Sequence, residues 1–360
     1  MNEYEWFWLC TIKGLYDRQR KILLQFFETP EQIRRAKKEE LEKIPFLTPP
    51  KVEKILRHQK EFDPEKQYHM YKKKGIQFIS HNHEDFPKRL KEINDYPVGL
   101  FYIGTLPAHQ EPTLAVIGAR MCSAYGRHLA QIFCEILAQN GISVVSGMAY
   151  GIDSCAQESC IEAGGRSYAV LGCGVDICYP QENRRLYEKL KIAGGLLSEY
   201  PPGTPALPAH FPMRNRIISG LCSQVVLVEA RKRSGSLITA DLALDQGRDV
   251  YAFPGRMDDV LSEGCNRLIR QGAGVITDID SFLEEIGCMV QKREKEKNCK
   301  ITLASTEKLV YSCLDSQSKS LDDICSAVNL PINQIMSALI TLQMKGVVTE
   351  SAKNYYAKVR

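Results

Sequence analysis

The sequence predicts an α/β protein with an extended Rossmann-like fold, in which helices cover both faces of a doubly wound, mostly parallel sheet. Short runs of Val, Ile and Leu without polar alternation recur along residues 66–288, as expected for strands that are buried on both faces. A helical segment follows each run, and this regular alternation of strand and helix is typical of a parallel sheet.

Six apolar runs are the predicted strands. They are LAVIG (114–118), ISVVSG (142–147), SYAVLG (167–172), LLSE (196–199), QVVLVEA (224–230) and DVYAFPG (249–255). Intervening segments such as SAYGRHLAQIFCEILAQN are predicted to be helices. Glycine recurs where these strands end, with serine, threonine and arginine beside it. Open α/β sheets bind their ligands at this edge, so we expect the functional site there.

Two smaller domains are predicted beside the sheet. Residues 1–65 show broken helical patterns, and LEKIPFLTPPKVEKIL resembles half of a helix-hairpin-helix unit, which predicts a small SAM-like or helix-hairpin-helix-like domain. FLTPP replaces the glycines of that hairpin, which favours an interaction domain over a DNA contact.

Residues 289–300 are predicted to be a charged linker. Residues 301–360 show three helices and two short strands, the order of a winged helix. Its candidate recognition helix carries one cation, Lys345, which favours a protein contact or weak DNA binding.

Composition narrows the class of protein. The chain has 360 residues, 44% of them hydrophobic and 25% charged, which indicates a globular protein. Its net charge of +4 is too small to indicate a nucleic-acid partner without local clustering. The sequence shows neither a long apolar span nor a positively charged signal region, so we expect a cytoplasmic protein without a membrane segment. The 13 cysteines are expected to be reduced, and no zinc site is predicted.

The motifs give no indication of catalysis or of a cofactor. GCGVDI has Ile177 where a dinucleotide-binding loop has its third glycine, and the sequence contains neither GxxxxGK[ST] nor HExxH. No Ser-His-Asp or Cys-His set can be assembled. Asp153 and Asp176 are expected to brace loops by accepting hydrogen bonds from backbone amides. We therefore predict a protein that is not an enzyme.

Cations cluster after the predicted strands. Residues 211–236 contain five cations and one acid, Glu229, a local net charge of +4. The segment that begins at Ser234 precedes a helix whose free N–H groups can bind phosphate. Taken alone, Arg120 also fits a surface arginine, residues 231–233 fit a solvated charge run, and Ser234 fits the serine cap of a helix. Phe211 fits a hydrophobic staple as well as a stacking platform for a base. Convergence at one edge of the sheet favours a shared site for single-stranded nucleic acid. The candidate DNA-binding residues are Arg120, Ser123, Ser146, Gly147, Gly172, Gly174, Phe211, Arg214, Asn215, Arg216, Arg231, Lys232, Arg233, Ser234, Gly235 and Ser236.

Several motifs in order, among them IGAR, SGMAYGID, LGCGVDICYP, FPMRNRIISGL and RSGSLITADLALDQGRDVYAFPG, resemble the DprA/Smf family of DNA-processing proteins. The resemblance implies an extended Rossmann fold without dinucleotide chemistry, binding of single-stranded DNA and a homodimer. It also implies loading of RecA onto DNA imported during natural transformation, in the presence of single-strand-binding protein. By the same resemblance, Arg120, Phe211, Arg214 and Arg216 contact DNA.

Two positions depart from the family pattern. Gln157 stands where His is common, which is expected to affect helix packing. PALPAH lacks a lysine before Phe211, which is expected to weaken DNA binding or to shift it onto residues 231–233. The competing hypothesis is a nucleotide-processing enzyme of the nucleoside-monophosphate glycosidase type. Such enzymes typically carry a PGGxGT loop near a catalytic Glu, and here PGRMDD takes its place.

Overall fold

A computed structural model of the chain describes residues 3–288, 304–315, 318–328 and 330–358. The chain divides into two units, Met1–Met289 and Val290–Arg360. The predicted charged linker, residues 289–300, lies outside the described residues.

Helices form the beginning of the first unit. They are α1 (Glu3–Thr11), α2 (Asp17–Phe27), α3 (Pro30–Arg35), α4 (Lys38–Leu41), α5 (Pro49–Glu61) and α6 (Pro64–Lys73). Local sequence explains several starts, since Thr29 and Asp63 cap α3 and α6 and proline occupies the first turn of both. Phe7 of α1 packs on Phe78 and Phe101 of the sheet, with ring centroids 5.5 and 6.0 Å away. The core of these helices thus crosses the predicted domain boundary at residue 65, which stays a prediction.

A nine-stranded sheet forms the centre of the first unit. Its elements are β1 (Gln77–Ser80), α7 (Lys88–Lys91), β2 (Gly99–Gly104), β3 (Thr113–Ile117), α8 (Ala124–Gln139), β4 (Ser143–Ser146), α9 (Ile152–Glu162), β5 (Ser167–Val170), α10 (Arg184–Leu190), β6 (Gly194–Ser198), α11 (His210–Gly220), β7 (Gln224–Leu227), α12 (Gly235–Asp245), β8 (Asp249–Ala252), α13 (Glu263–Arg270), β9 (Gly274–Val275) and α14 (Ile279–Glu285). The strand order is β1-β2-β6-β5-β4-β3-β7-β8-β9. In this order, all neighbouring strands from β6 to β9 pair in parallel. β2 pairs antiparallel with both β1 and β6.

Helices pack against both faces of the sheet. On one face, Leu90 of α7, Ile217 of α11 and Leu237 of α12 share a core with Ala115 of β3. On the other face, Phe133 of α8 packs on the ring of Phe253, 5.2 Å away. The predicted fold class, a doubly wound and mostly parallel sheet, is confirmed. The six predicted strands correspond to β3–β8, whereas the short β1 and β9 and the antiparallel β2 were not predicted.

The second unit has the elements of the predicted winged helix. They are α15 (Ser305–Cys313), β10 (Lys319–Ser320), α16 (Leu321–Ala327), α17 (Ile332–Met344), β11 (Val348–Ala352) and β12 (Tyr355–Lys358). The strands form an antiparallel sheet in the order β10-β12-β11. Val310, Ile324, Ile335 and Leu339 form the core between the helices.

The described helices do not include a single one that is long and apolar enough to cross a membrane. α16 and α17 reach the necessary length and composition only when they are taken together across a sharp bend. Their buried residues, Ile324 and Leu339 among them, belong to the core of the second unit.

Gly195 allows β6 to pair closely with β2. A Cβ atom at this position would lie 2.1 Å from the carbonyl oxygen of Thr105, so alanine would push the two strands apart. We expect Gly195→Ala to lower the free energy of unfolding by about 1–3 kcal/mol, the usual cost of overpacking, and to lower the thermal midpoint with it. Gly235→Ala is the control, because its Cβ would meet nothing within 4 Å. Equal midpoints for both variants would contradict this account.

Candidate functional site

A groove with a volume of about 570 Å³ opens where strands β3 and β7 end. Strand order reverses here, because β4 pairs with one side of β3 and β7 with the other. A reversal of this kind separates the loops that follow the two strands and leaves a crevice between them. The predicted site residues that line the groove are Arg120, Phe211, Arg214, Asn215, Arg231, Arg233, Ser234, Gly235 and Ser236.

Three exposed arginines, which we call the groove cations, supply positive charge from two different loops. Arg120 follows β3, and Arg231 and Arg233 follow β7. All three are solvent-exposed. None of them takes part in an ion pair among the described residues. Their guanidinium groups are therefore available to an anionic ligand, and guanidinium is well suited to phosphate.

The first turn of α12 borders the same groove. Ser234 is the N-cap, and its hydroxyl oxygen accepts a hydrogen bond from the backbone N–H of Ser236 at 3.4 Å. Gly235 has open space around its Cα, so a ligand can approach the backbone. The first N–H groups of a helix have no partner within the helix and carry partial positive charge. This turn adds anion-binding capacity beside Arg231 and Arg233.

An aromatic surface lies between the cations. The guanidinium carbon of Arg120 is 5.8 Å from the ring centroid of Phe211, and that of Arg214 is 6.0 Å away. Tyr179 packs on Phe211 with 5.4 Å between centroids and a tilt of 33°. Gly172 permits this position, because a Cβ there would lie 2.9 Å from the Phe211 ring. Tyr179 was missed by the sequence reasoning, although it follows the third predicted strand in the quoted motif LGCGVDICYP.

Arg214 lies at the floor of the groove and is buried. Its Nη1 donates hydrogen bonds to the carbonyl oxygen of Gly147, at 3.0 Å, and to that of Val170. Burial lowers the pKa of Arg214 to about 10, while the nearby Asp153 carboxylate opposes this shift. Arg214 therefore braces the ends of β4 and β5, and these bonds already occupy its Nη1.

Asp153 and Asp176 brace loops, as predicted. Asp153 accepts a hydrogen bond from the backbone N–H of Gly147 at 3.2 Å, and Asp176 accepts one from Gly203 at 2.9 Å. Burial raises the pKa of Asp153, while Arg214 opposes this shift. Asp153 is already bonded within the protein, which is the environment of a structural carboxylate.

The structure corrects the prediction that Arg216 lies with the other cations. Arg216 is 5% exposed, and its Nη2 lies 2.6 Å from Oε2 of the buried Glu199. Its Nε lies 3.1 Å from Oδ2 of Asp95. Burial works against the charge of Arg216, but Glu199, Asp17 and Asp95 outweigh it and raise its pKa. The anion that Arg216 meets therefore belongs to the protein itself.

Several other predicted site residues have structural contacts outside the groove lining. Ser123 caps α8, and both its N–H and its hydroxyl donate to the buried Glu229. The buried Ser146 hydroxyl donates to the carbonyl oxygen of Val116 at 2.7 Å. The remaining predicted residues that do not line the groove are Gly147, Gly172, Gly174 and Lys232. Among the described residues, no group of three or more His, Cys, Asp or Glu side chains could hold a metal ion.

Arg216 and Arg120 should differ sharply in their effect on stability. Arg216→Ala leaves Glu199 buried without its cation, a change that costs about 3–5 kcal/mol of unfolding free energy. Arg120→Ala removes an exposed side chain that forms no ion pair with any described residue, so we expect a change within about 0.5 kcal/mol. Urea unfolding of both variants measures the difference. If Arg216→Ala were as stable as the wild-type protein, the buried pair would have no structural role.

Comparison with known proteins places the chain among relatives along most of its length. Residues 77–287 match the family model described as DNA recombination-mediator protein A, and residues 295–352 match the DprA winged helix domain. The DNA processing protein DprA of Streptococcus pneumoniae is 45% identical over 200 residues, which are 56% of this chain and 71% of that protein. Protein Smf of Synechocystis sp. is 30% identical over 396 aligned residues, which cover 99% of both chains.

Solved structures agree with these matches. The X-ray structure of DprA from Streptococcus pneumoniae superposes with a TM-score of 0.68 and 36% identity, over 79% of this chain and 98% of that chain. DNA processing protein A from Helicobacter pylori, studied for its mode of binding single-stranded DNA, superposes with a TM-score of 0.53 and 28% identity, over 58% of this chain and 95% of that chain. On these grounds, the chain belongs to the DNA recombination-mediator protein A family, also known as DprA or Smf.

Proposed function

We propose that this protein is a non-catalytic mediator of recombination that binds single-stranded DNA in the groove and passes the strand to the RecA recombinase. The observation that carries this proposal is the combination of the exposed groove cations with the aromatic pair Phe211 and Tyr179 in one crevice. Single-strand binders combine a cationic groove for the backbone with aromatic rings for the bases.

The groove cations serve the sugar–phosphate backbone. Arg120 lies on one side of the strand-order reversal, and Arg231 and Arg233 lie on the other. A strand that crosses the groove can therefore meet positive charge from both loops and the first N–H groups of α12, which borders the same groove. Each phosphate that is neutralised releases counterions, which makes the affinity depend steeply on salt.

The aromatic pair serves the bases. Phe211 is half-buried, so its position is fixed by its neighbours while one part of the ring stays accessible, and Tyr179 is 45% exposed. Stacking of a base on an aromatic ring contributes about 1–3 kcal/mol and tolerates every base. In duplex DNA the bases are already stacked on one another, so these rings favour an unpaired strand without selecting its sequence.

The rival function is that of a glycosidase acting on nucleoside monophosphates. Such an enzyme needs a catalytic carboxylate, and Asp153 is the carboxylate that lines the groove. Its bond to Gly147 and its proximity to Arg214 support a bracing role instead. We expect no release of free base when the protein is incubated with nucleoside monophosphates. Chromatographic detection of released base at a rate that scales with protein concentration would favour the enzyme.

We further propose that RecA receives the strand in the cytoplasm, in the presence of single-strand-binding protein. The family description as a recombination mediator supports RecA as this partner. We extend the proposal to a homodimer of this chain. A helix of the second unit, α17, is uncharged along its described length, which supports a protein contact over duplex binding for the winged helix.

Substitutions in the groove should distinguish contacts to phosphate from stacking on bases. Arg120→Ala is expected to weaken binding of a labelled oligothymidylate and to reduce the magnitude of the salt slope by about 0.7, the value for one phosphate of a single strand. Phe211→Ala is expected to weaken binding by about 5- to 150-fold without changing the slope, since it removes stacking alone. Fluorescence polarisation titrations at several salt concentrations measure both quantities.

Lys232 provides a matched control for these titrations. It lies between two groove cations in sequence but does not line the groove. Lys232→Ala should therefore weaken binding less than Arg233→Ala does. The proposal fails if the wild-type protein does not bind the oligonucleotide, or if neither Arg120→Ala nor Phe211→Ala changes the affinity.

A further inference from the structure

A buried network of charges begins in the N-terminal helices. Asp17 and Arg20, both in α2, form an ion pair with 2.5 Å between Nη1 and Oδ1, and both side chains are almost completely buried. Arg20 also donates to the carbonyl oxygens of Leu9 and Cys10, at 3.2 and 2.8 Å, which fixes the pair to the end of α1. The second carboxylate oxygen of Asp17 accepts a hydrogen bond from the backbone N–H of Val98 at 3.0 Å.

Glu199 extends this network to α11. It follows β6 and lines the same small cavity as Asp17 and Arg20. Its Oε2 lies 2.6 Å from Nη2 of Arg216 in α11. Burial raises the pKa of Glu199 to about 7; Arg216 opposes this shift and the nearby Asp17 carboxylate adds to it. The other charged and titratable groups that influence this cluster are Cys10, Arg20, Lys21, Asp95 and Tyr200.

Aromatic rings make a second connection to the first turn of α11. His210, the first residue of that helix, stacks on Tyr200 with 4.1 Å between centroids, and Tyr16 from the N-terminal helices contacts it edge-on at 6.4 Å. Nδ1 of His210 lies 3.1 Å from the carbonyl oxygen of Gly172. Gly172 is also the residue on which the ring of Phe211 packs. The contacts from the N-terminal helices therefore end one residue away from Phe211.

Such an arrangement restricts how α11 can move. A shift or rotation of α11 would separate Arg216 from Glu199 and would leave buried charges without partners, which is strongly unfavourable. We propose that the N-terminal helices hold α11, and with it Phe211, in the position that stacks on a DNA base, through the relay of Asp17, Glu199 and Arg216. This inference rests on the proposed single-strand binding. The relay residues are positioning residues, since they lie outside the groove lining.

Breaking the relay at Glu199 tests this role. Glu199→Ala deletes the bridge between Asp17 and Arg216, and we expect it to weaken oligothymidylate binding by about three- to tenfold, a part of what stacking of one base contributes. The salt slope should stay unchanged, because the groove cations lie on other loops. Glu199→Gln keeps a side chain that can bond to both neighbours, and it should restore most of the affinity.

A double-mutant cycle shows whether the effect passes through Phe211. If the relay acts by positioning that ring, Glu199→Ala together with Phe211→Ala should bind DNA no more weakly than Phe211→Ala alone. Losses that simply add, or a salt slope that falls with the affinity, would overturn the inference, because both would show an effect elsewhere in the protein.

Glu5→Ala is the matched control for a broken glutamate–arginine pair. Glu5 pairs with Arg34 at 2.7 Å within the same N-terminal helices, and neither residue contacts α11 in any hydrogen bond or ion pair of the described chain. We expect the Glu5→Ala variant to bind DNA with the affinity of the wild-type protein. Thermal unfolding of every variant confirms that the binding data come from folded protein, and Asp17→Ala repeats the test from the other end of the relay.

The outcomes separate this inference from the proposed function. If the wild-type protein binds the oligonucleotide while folded Glu199→Ala and Asp17→Ala bind equally well, the relay has no positioning role and the proposed function stands. If the wild-type protein itself does not bind, the proposed function fails and the inference fails with it.

Discussion

The reversal of strand order at β3 is the constraint on which the site depends. β4, β5 and β6 extend the sheet on one side of β3, and β7, β8 and β9 extend it on the other. The loops after β3 and β7 consequently separate, and the groove forms between them. Arg120 comes from one loop and Arg231 and Arg233 from the other, so the pairing of β3 with β7 brings the cations to one groove.

Some arginines near the groove bond to groups of the protein, whereas others are exposed to a ligand. Arg216 pairs with the buried Glu199 and the more exposed Asp95, and Arg214 bonds to the carbonyl oxygens at the ends of two strands. The groove cations are exposed, so their charge is available to a ligand. The two buried arginines stabilise the groove floor and α11, while the exposed arginines and Phe211 form the surface on which we propose that single-stranded DNA binds.

Much of this arrangement could be predicted from the sequence, because strand ends of a parallel sheet meet at one edge. The apolar runs indicate the six central strands, and the rule on strand ends then predicts that Arg120, Phe211 and Arg233 converge. What the sequence pattern did not give is the direction of each side chain. Arg216 lies five residues after Phe211, about 140° around a helix, so helical periodicity itself separates the two. Tyr179 lies in an irregular loop, where no periodicity indicates which way a ring points.

The central claim, that an unpaired strand crosses this groove with its bases on the aromatic pair, is tested most directly by photo-crosslinking. An oligothymidylate that carries 5-iodouracil would be irradiated with the full-length protein, and the modified peptides would be identified by mass spectrometry. The account predicts crosslinks at Phe211 and Tyr179 that unlabelled single-stranded DNA abolishes and duplex DNA of the same length does not. Crosslinks confined to residues 304–358, or spread over surfaces away from the groove, would contradict it.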